Sequence, residues 1–309
     1  RKTAKISLCG LFLERSHMKG IVLLNAYTKS AGANRQASRI AEELNALGVQ
    51  TEMRLNGAFD ADIFSSRVRL AQKPDFVVYL DKDKYLSRLW EKEGVRLFNS
   101  ADGVEVCDDK MLTYIALANG GVEIPDTLPA PLCYYPDARV REEYCRVVEE
   151  RLGYPLVVKK SFGSWGMDVN LIQNFAELTK IAEEYKLFPH LYQKYIAAKR
   201  GEDTRVLVIG GKAVAAMRRR NDGDFRSNIE LGGRGYPAEI TKSYREISER
   251  AARLLSLDYC GIDLLEGEDG RPIVCEVNSN AFFNEAEKVT GVNIAGAYAA
   301  HIAREMKKN

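Results

Sequence analysis

The sequence predicts an α/β fold that passes into α+β, on three observations. Its first part alternates buried-strand runs with helically spaced apolar residues, the pattern of parallel strands joined by crossover helices. From Thr204 onward, strand-like runs are separated by short glycine turns, which points to antiparallel hairpins. Between the two lies "VVKKSFGSWGMDVNLI" (157–172), read as a strand, a glycine loop and a second strand.

Residues 1–17 stand apart. "RSHM" directly before "KGIVLLNAYTKS" looks like a cloning junction ahead of a natural start at Met18. "ISLCGLFL" is short, is followed by Glu14-Arg15 and lacks an Ala-x-Ala cleavage site, so 1–17 are read as an expression tag or other non-native extension. "KGIVLLNA" then predicts a buried strand. "GANRQASRIAEELNALG" predicts a helix, with Ala37, Ile40, Ala41, Leu44 and Leu47 at helical spacing and Gly48 as its stop. "VQTEMRL", "PDFVVYL" and "VRLFN" predict further strands, with a helix before the last. Gly32 follows the first strand, but without G-x-G-x-x-G there is no dinucleotide signature.

A helix from about Asp109 should end at Gly120-Gly121, and "DARVREEYCRVVEERLG" predicts another, stopped by Gly153. After the glycine hairpin come a helix capped by Asn174, the strand "HLYQKYI", and a hairpin of "TRVLVI" and "KAVAAMRRR" around Gly210-Gly211. A helix over 243–256, a second hairpin ("GIDLLE", "RPIVCEVN") and a C-terminal helix complete the chain.

Composition narrows the chemistry. With 309 residues, 46% hydrophobic and 28% charged, the chain is an ordinary globular protein of two or three units. A net charge of +2 is too small to argue for nucleic acid or membrane as a partner. Six cysteines (9, 107, 133, 145, 260, 275) show no Cys-x-x-Cys, which suits reduced thiols and a cytoplasmic location. The three histidines, His17, His190 and His301, make a histidine-based mechanism a poor fit, leaving Lys, Arg and carboxylates.

The glycine hairpin is not a Walker loop, because its glycines, Gly163 and Gly166, lie between two strands. Backbone N–H groups there can approach phosphate oxygens closely, and a strand-end lysine with little packing role, Lys159, can reach the same phosphates. A plain hairpin fits the same pattern. In the last hairpin, with "GEDG" as the loop, Glu266 would face Arg271 and Asp263 would face Val274. Alternation then puts Val274, Glu276 and Asn278 on the Asp263 face, and Ile262, Leu264, Ile273, Cys275 and Val277 on an apolar face. Two carboxylates and an amide oxygen suit a hard cation such as Mg²⁺, and a solvated polar face is the other reading. In the Gly210-Gly211 hairpin Asp203 would face Arg218, with Arg205 and Arg220 on the same side. Arg226 and Asn228 extend this basic patch, although Asp222 and Asp224 could pair with its arginines.

These segments together resemble the ATP-grasp superfamily, and within it the RimK-like carboxylate–amine ligases. "DDKMLTYIAL", "PLVVKKSFGSWGMDV", "YQKYI", "GEDTRVLVIGGKAVAAMRRR", "GDFRSN", "YCGIDLL" and "CEVNSN" occur in the family's order, from about residue 99 onward. The resemblance implies an ATP-grasp fold with an N-terminal Rossmann-like parallel-sheet domain over 18–100. A central lid subdomain over 101–190 and a C-terminal subdomain over 191–309 would follow. It implies that Lys110 and Lys159 hold ATP phosphates and that the loop with Ser161, Gly163, Ser164, Trp165 and Gly166 closes over them. Gln193, Lys194, Tyr195 and Ile196 would line the adenine pocket, and Asp203 would meet the ribose or a neighbouring arginine. Arg205, Arg226 and Asn228 would meet phosphate or acceptor, and Asp263, Glu276 and Asn278 would hold Mg²⁺, with Mn²⁺ as the alternative.

The implied activity is ADP-forming amide ligation through an acyl phosphate, adding a glutamate-like amino acid to a peptide, protein or small-molecule carboxylate. Side-chain crosslinking of a peptide and non-catalytic ATP binding stay open as alternatives, as does a homo-oligomer. One departure matters: the Asn-x-Ser-Pro-Gly expected in RimK itself reads "NSNAFF" here, so the acceptor pocket does not carry over.

Overall fold

In the computed structural model, which describes residues 18–308, the apolar run after Met18 forms β1 (Lys19–Leu24). The expected non-native extension over 1–17 lies outside the described residues. There follow α1 (Ala31–Ala46), β2 (Gln50–Leu55), β3 (Ala61–Phe64), β4 (Arg67–Leu70), β5 (Phe76–Leu80), α2 (Lys84–Lys92) and β6 (Arg96–Phe98). The sheet runs β2-β1-β5-β6 with every pair parallel, as the alternation predicts. β1 and β5 read as apolar runs because both of their faces are covered. Helix α1 starts where Ser30 accepts from the Ala33 amide, and it buries Ala37, Ile40, Ala41 and Leu44. Leu47, expected on that face, caps the helix and is half-exposed. The β3–β4 hairpin is not among the predicted elements. Its turn residues Ser65 and Ser66 sit at φ of 50° and 61°, a conformation that Asn or Gly usually announces.

Helices α3 (Ala101–Asp108) and α4 (Lys110–Leu117) meet at Asp109, whose carboxylate accepts from the Met111 and Leu112 amides at 2.8 and 3.2 Å. Next come β7 (Thr127–Pro129), α5 (Glu142–Leu152), β8 (Leu156–Lys160), β9 (Val169–Ile172), α6 (Phe175–Tyr185) and β10 (His190–Lys194). The antiparallel sheet β7-β10-β8-β9 is backed by α5 and α6 through Val148, Leu156, Val158, Leu178 and Ile181. Both limits expected for the 101–190 unit shift. β10 pairs with β7 and β8, so residues 190–194 belong to the central sheet. Leu117 and Val122 pack with Ala251, Ala252 and Leu255, so α4 is seated on the C-terminal unit.

That unit contains β11 (Glu202–Ile209), β12 (Lys212–Arg220), β13 (Arg234–Pro237), α7 (Lys242–Leu254), β14 (Tyr259–Glu266), β15 (Pro272–Asn278), α8 (Asn284–Thr290) and α9 (Ile294–Met306). Its sheet, β13-β12-β11-β14-β15, is antiparallel throughout. Val206, Ile262 and Val277 face α7. Leu207, Met217 and Tyr259 face Tyr298 and Ile302 of α9, in a core that continues through α1 into the N-terminal sheet. Each fully buried aliphatic side chain there contributes about 1.5–3 kcal/mol.

β-Bulges alter both expected registers. Ile209 faces Lys212 as predicted, but Val214 is an extra residue, so Asp203 faces Arg219 and not Arg218. A one-residue slip exchanges faces, so Arg219 is buried while Arg218 and Arg220 are exposed. In β14/β15 two slips add. Glu266 faces Pro272 instead of Arg271, and the bulged Cys275 leaves Asp263 facing Glu276 instead of Val274. A shift of two residues preserves the face, so Glu276 and Asn278 remain on the Asp263 side. Val274, between the two slips, joins Ile262, Leu264 and Val277 in the core, and Cys275 lines the cleft instead.

Candidate active site

The central and C-terminal sheets flank an open cleft whose empty space, counted out into solvent, is about 910 Å³. Val157, Ile196, Phe225 and Leu265 give it an apolar end, while Lys110, Lys159 and Arg226 bring cations to it. Lys110, Lys159, Gly163, Ser164, Gly166, Gln193, Lys194, Tyr195, Ile196, Asp203, Arg226, Asn228, Asp263 and Glu276 all line it.

Lys159 lies on β8 and is only 5% exposed, so its packing role is larger than expected. Its Nζ donates to the Tyr114 hydroxyl at 2.9 Å, and that hydroxyl donates to the Cys275 carbonyl. Burial opposes the Lys159 charge, and the Tyr114 hydroxyl and the Glu276 carboxylate act in the opposite direction. Lys110 opens α4, donates to the Gly163 carbonyl at 2.8 Å and lies 3.7 Å from Glu276. Burial lowers its pKa, with Glu276 acting in the opposite direction. Two largely buried ammonium groups with so few acceptors are suited to an anion brought from solution.

The loop over 161–168 needs glycine at two places. Gly163 has φ of 134° and Gly166 φ of 71°, and a Cβ on Gly166 would lie 2.8 Å from Asn228 Oδ1. Arg226 donates to the Gly166 carbonyl at 2.7 Å while pairing with Asp224 at 2.8 Å. Two expected loop contacts do not line the cleft. Ser161 is buried at the base, where its amide donates to Pro189 and its carbonyl accepts from Lys110, and the Trp165 side chain is 52% exposed.

Four charges alternate behind the cleft: Asp203, Arg219 and Asp263 are buried and line it, and Arg205 is part-buried behind them. Arg205 binds both oxygens of Asp263, at 2.7 and 2.8 Å. Arg219 binds both oxygens of Asp203 and reaches Asp263 Oδ2 at 2.9 Å. Burial would raise the Asp263 pKa, but Arg205 and then Arg219 hold it below the usual carboxylate range. Asp203 thus meets an arginine, one of its two expected partners. Arg205, expected at phosphate or acceptor, is committed to Asp263, and Arg220 pairs with Asp222 on the surface. Arg219 was hidden from sequence reasoning by the β12 bulge, and Tyr114 by an unremarkable helical position.

For a metal, the donor set suits a hard cation in kind, since Asp263 and Glu276 are cross-strand partners and Asn278 follows on the same face. Asn278 presently points its amide nitrogen at Asp263 Oδ2, at 3.4 Å. Among the described residues no three His, Cys, Asp or Glu side chains converge at metal distance. Glu276 is the carboxylate that no guanidinium occupies, so it is the natural first donor.

Comparison with known proteins gives the same picture. The family model described as a RimK-like ATP-grasp domain matches residues 107–302. Human N-acetylaspartylglutamate synthase A is 34% identical over 236 residues, covering 75% of this chain and 58% of that protein. A protein named as a probable alpha-L-glutamate ligase, from Citrobacter koseri, is 36% identical over 220 residues, 70% of each chain. The chain thus spans under two thirds of the length of the human relative. The solved structure of the ATP-grasp ligase PsnB, with minimal precursor, Mg and ADP, matches at TM-score 0.67 and 19% identity, over 93% of this chain and 98% of that one. The fold is the ATP-grasp fold, and the chain belongs to the RimK-like ATP-grasp family.

Proposed function

We propose that the chain is an ATP-dependent carboxylate–amine ligase that forms ADP and adds a glutamate-like amino acid to a peptide, protein or small-molecule carboxylate. The observation that carries this reading is the convergence of the buried Lys110 and Lys159 with the glycine loop at one end of a cleft whose other end is apolar. The adenine would lie against Val157, Ile196 and Leu265, with Gln193 to Ile196 along its edge. The phosphates would lie beneath the loop, within reach of Lys110, Lys159 and Arg226.

A substrate carboxylate oxygen would attack the γ-phosphorus, breaking its bond to the bridging oxygen and giving an acyl phosphate and ADP. The amine nitrogen would then attack the acyl carbon, phosphate would leave, and the nitrogen would lose its proton. No protein nucleophile is needed, so the side chains act by alignment and charge neutralisation. Asp263, Glu276 and Asn278 would hold Mg²⁺ or Mn²⁺, which would neutralise phosphate charge when bound. No helix among the described residues is long and apolar enough to cross a membrane. Glutamate is favoured as the amine because two relatives above 30% identity carry names that denote glutamate ligation.

Hydroxylamine tests the mechanism. With MgATP and the carboxylate substrate it should yield a hydroxamate, with ADP and phosphate as co-products and no signal when either substrate is omitted. Formation of AMP and pyrophosphate would overturn the acyl-phosphate route. Screening ADP release over amino acids and acidic peptides identifies the two substrates.

Glu276→Gln tests the metal site. It keeps shape and removes one charge, so half-maximal activity should need at least about tenfold more Mg²⁺ at nearly unchanged melting temperature. A wild-type Mg²⁺ curve would remove Glu276 from the site. Val274→Ile is no neutral control, because Val274 is fully buried and a further methylene there costs ~1–3 kcal/mol.

A further inference from the structure

We propose that Lys82 is a positioning residue that clasps the glycine loop to the N-terminal unit and so keeps the cleft shut during the reaction; this rests on the reading of the cleft as an ATP site. Lys82 lies two residues past the end of β5. Its backbone is fixed by Asp81, a buried carboxylate that forms no ion pair among the described residues. Asp81 accepts instead from the Lys82 amide at 2.7 Å, from the Asn25 side chain at 3.2 Å and from Asn56. From this rigid base the Lys82 ammonium reaches Asp108 Oδ1 at 2.5 Å and donates to Ser164 Oγ at 3.2 Å. Asp108 ends α3, where the free carbonyls of the last turn also favour a cation.

The loop has little apolar packing of its own. Phe162, Trp165 and Met167 are each about half exposed, so its pose depends on polar contacts. Beside the Lys160–Asp168 pair at its far end, three cations from other parts of the chain supply them: Lys82 at Ser164, Lys110 at the Gly163 carbonyl, and Arg226 at the Gly166 carbonyl. Lys110 and Arg226 line the cleft, so a bound phosphate would compete with the loop for them. Lys82 lies outside the cleft, in a groove with Asp108 and Phe162, so a bound phosphate would not compete for its ammonium. A reaction that passes through an acyl phosphate needs such a hold. In an open cleft water takes the place of the amine at the acyl carbon and returns the carboxylate and phosphate.

The test begins without nucleotide. In Lys82→Met, the amides whose hydrogen bonds end on the loop, Met167 to the Ser164 carbonyl at 3.2 Å and Lys160 to the Asp168 carbonyl at 3.3 Å, should exchange hydrogen about fivefold faster than in wild type, while the cores of the three sheets stay unchanged. Lys82→Arg should restore protection. Ser164→Ala should accelerate the same amides, and the double variant should be no faster than either single one, because both remove one contact. With substrates present, Lys82→Met should release about fivefold more ADP per amide formed, and Lys82→Arg should reverse this. Unchanged loop exchange in Lys82→Met overturns the proposal, as does an equal acceleration across all three sheets, or additive effects of Lys82→Met and Ser164→Ala. The ATP reading is checked separately by Trp165 emission on adding MgATP, since the other tryptophan, Trp90, is fully buried. A silent Trp165 together with no calorimetric MgATP binding would overturn that reading and leave the exchange result standing.

Discussion

Lys159→Met is expected to keep or raise the melting temperature while weakening MgATP binding at least about 30-fold, because a buried cation that loses its charged partner forfeits ~2 kcal/mol or more. The two effects have one cause. Without nucleotide, the Lys159 ammonium is buried against the Tyr114 ring and donates to a single neutral hydroxyl. Folding therefore removes a charge from water without a full replacement. Methionine fills the same volume and removes that cost, so stability should not fall. Alanine would add a cavity and blur the comparison. Calorimetric titration with MgATP and a thermal melt decide it. A fall of several degrees in melting temperature with unchanged affinity would make Lys159 a structural residue.

Arg219→Met should have the opposite balance, a loss of about 3–5 kcal/mol of folding stability together with loss of activity. Arg219 is 2% exposed and is the single cation that the ion-pair geometry gives Asp203, whereas Asp263 retains Arg205. Removing it strands a buried carboxylate. Asp203→Asn placed on top should recover part of the lost stability, since the stranded charge is gone. Urea unfolding of the single and double variants measures both terms. If Arg219→Met unfolds at the wild-type midpoint, the four-charge network is not what holds this end of the sheet. The exposed neighbours Arg218 and Arg220 give the contrast, with changes within ~0.5 kcal/mol on substitution to Gln.

Much of the site was legible because the relevant signals are local. The glycines of 163–166 require backbone freedom that the sequence states openly, and Lys159 lies on the strand that leads into them. Lys110 follows Asp109, a helix cap that can be recognised by residue type. Glu276 and Asn278 landed on the correct face for an accidental reason, since the longer turn and the Cys275 bulge together shift the register by two. Where only one slip occurred, at Val214, the inferred arginines were the wrong ones. Trp165 and Ser161 belong to the right loop, but motif membership does not say which way a side chain points.

The sequence by itself determined the order of the main elements, without the β3–β4 hairpin, and with it the parallel N-terminal unit, the antiparallel hairpins and the family, because periodicity, caps and turn residues are properties of neighbours in the chain. Only the tertiary structure decided that α4 is seated on the C-terminal core, that β10 completes the central sheet, and that Arg219 closes the charge network. It also decided that Lys82 reaches across to Ser164, 82 residues away. The physical reason is common to all four. A bulge or a long-range ion pair costs nothing in local pattern, so the energies that select it are those of desolvation and packing between segments that meet only when the chain has folded.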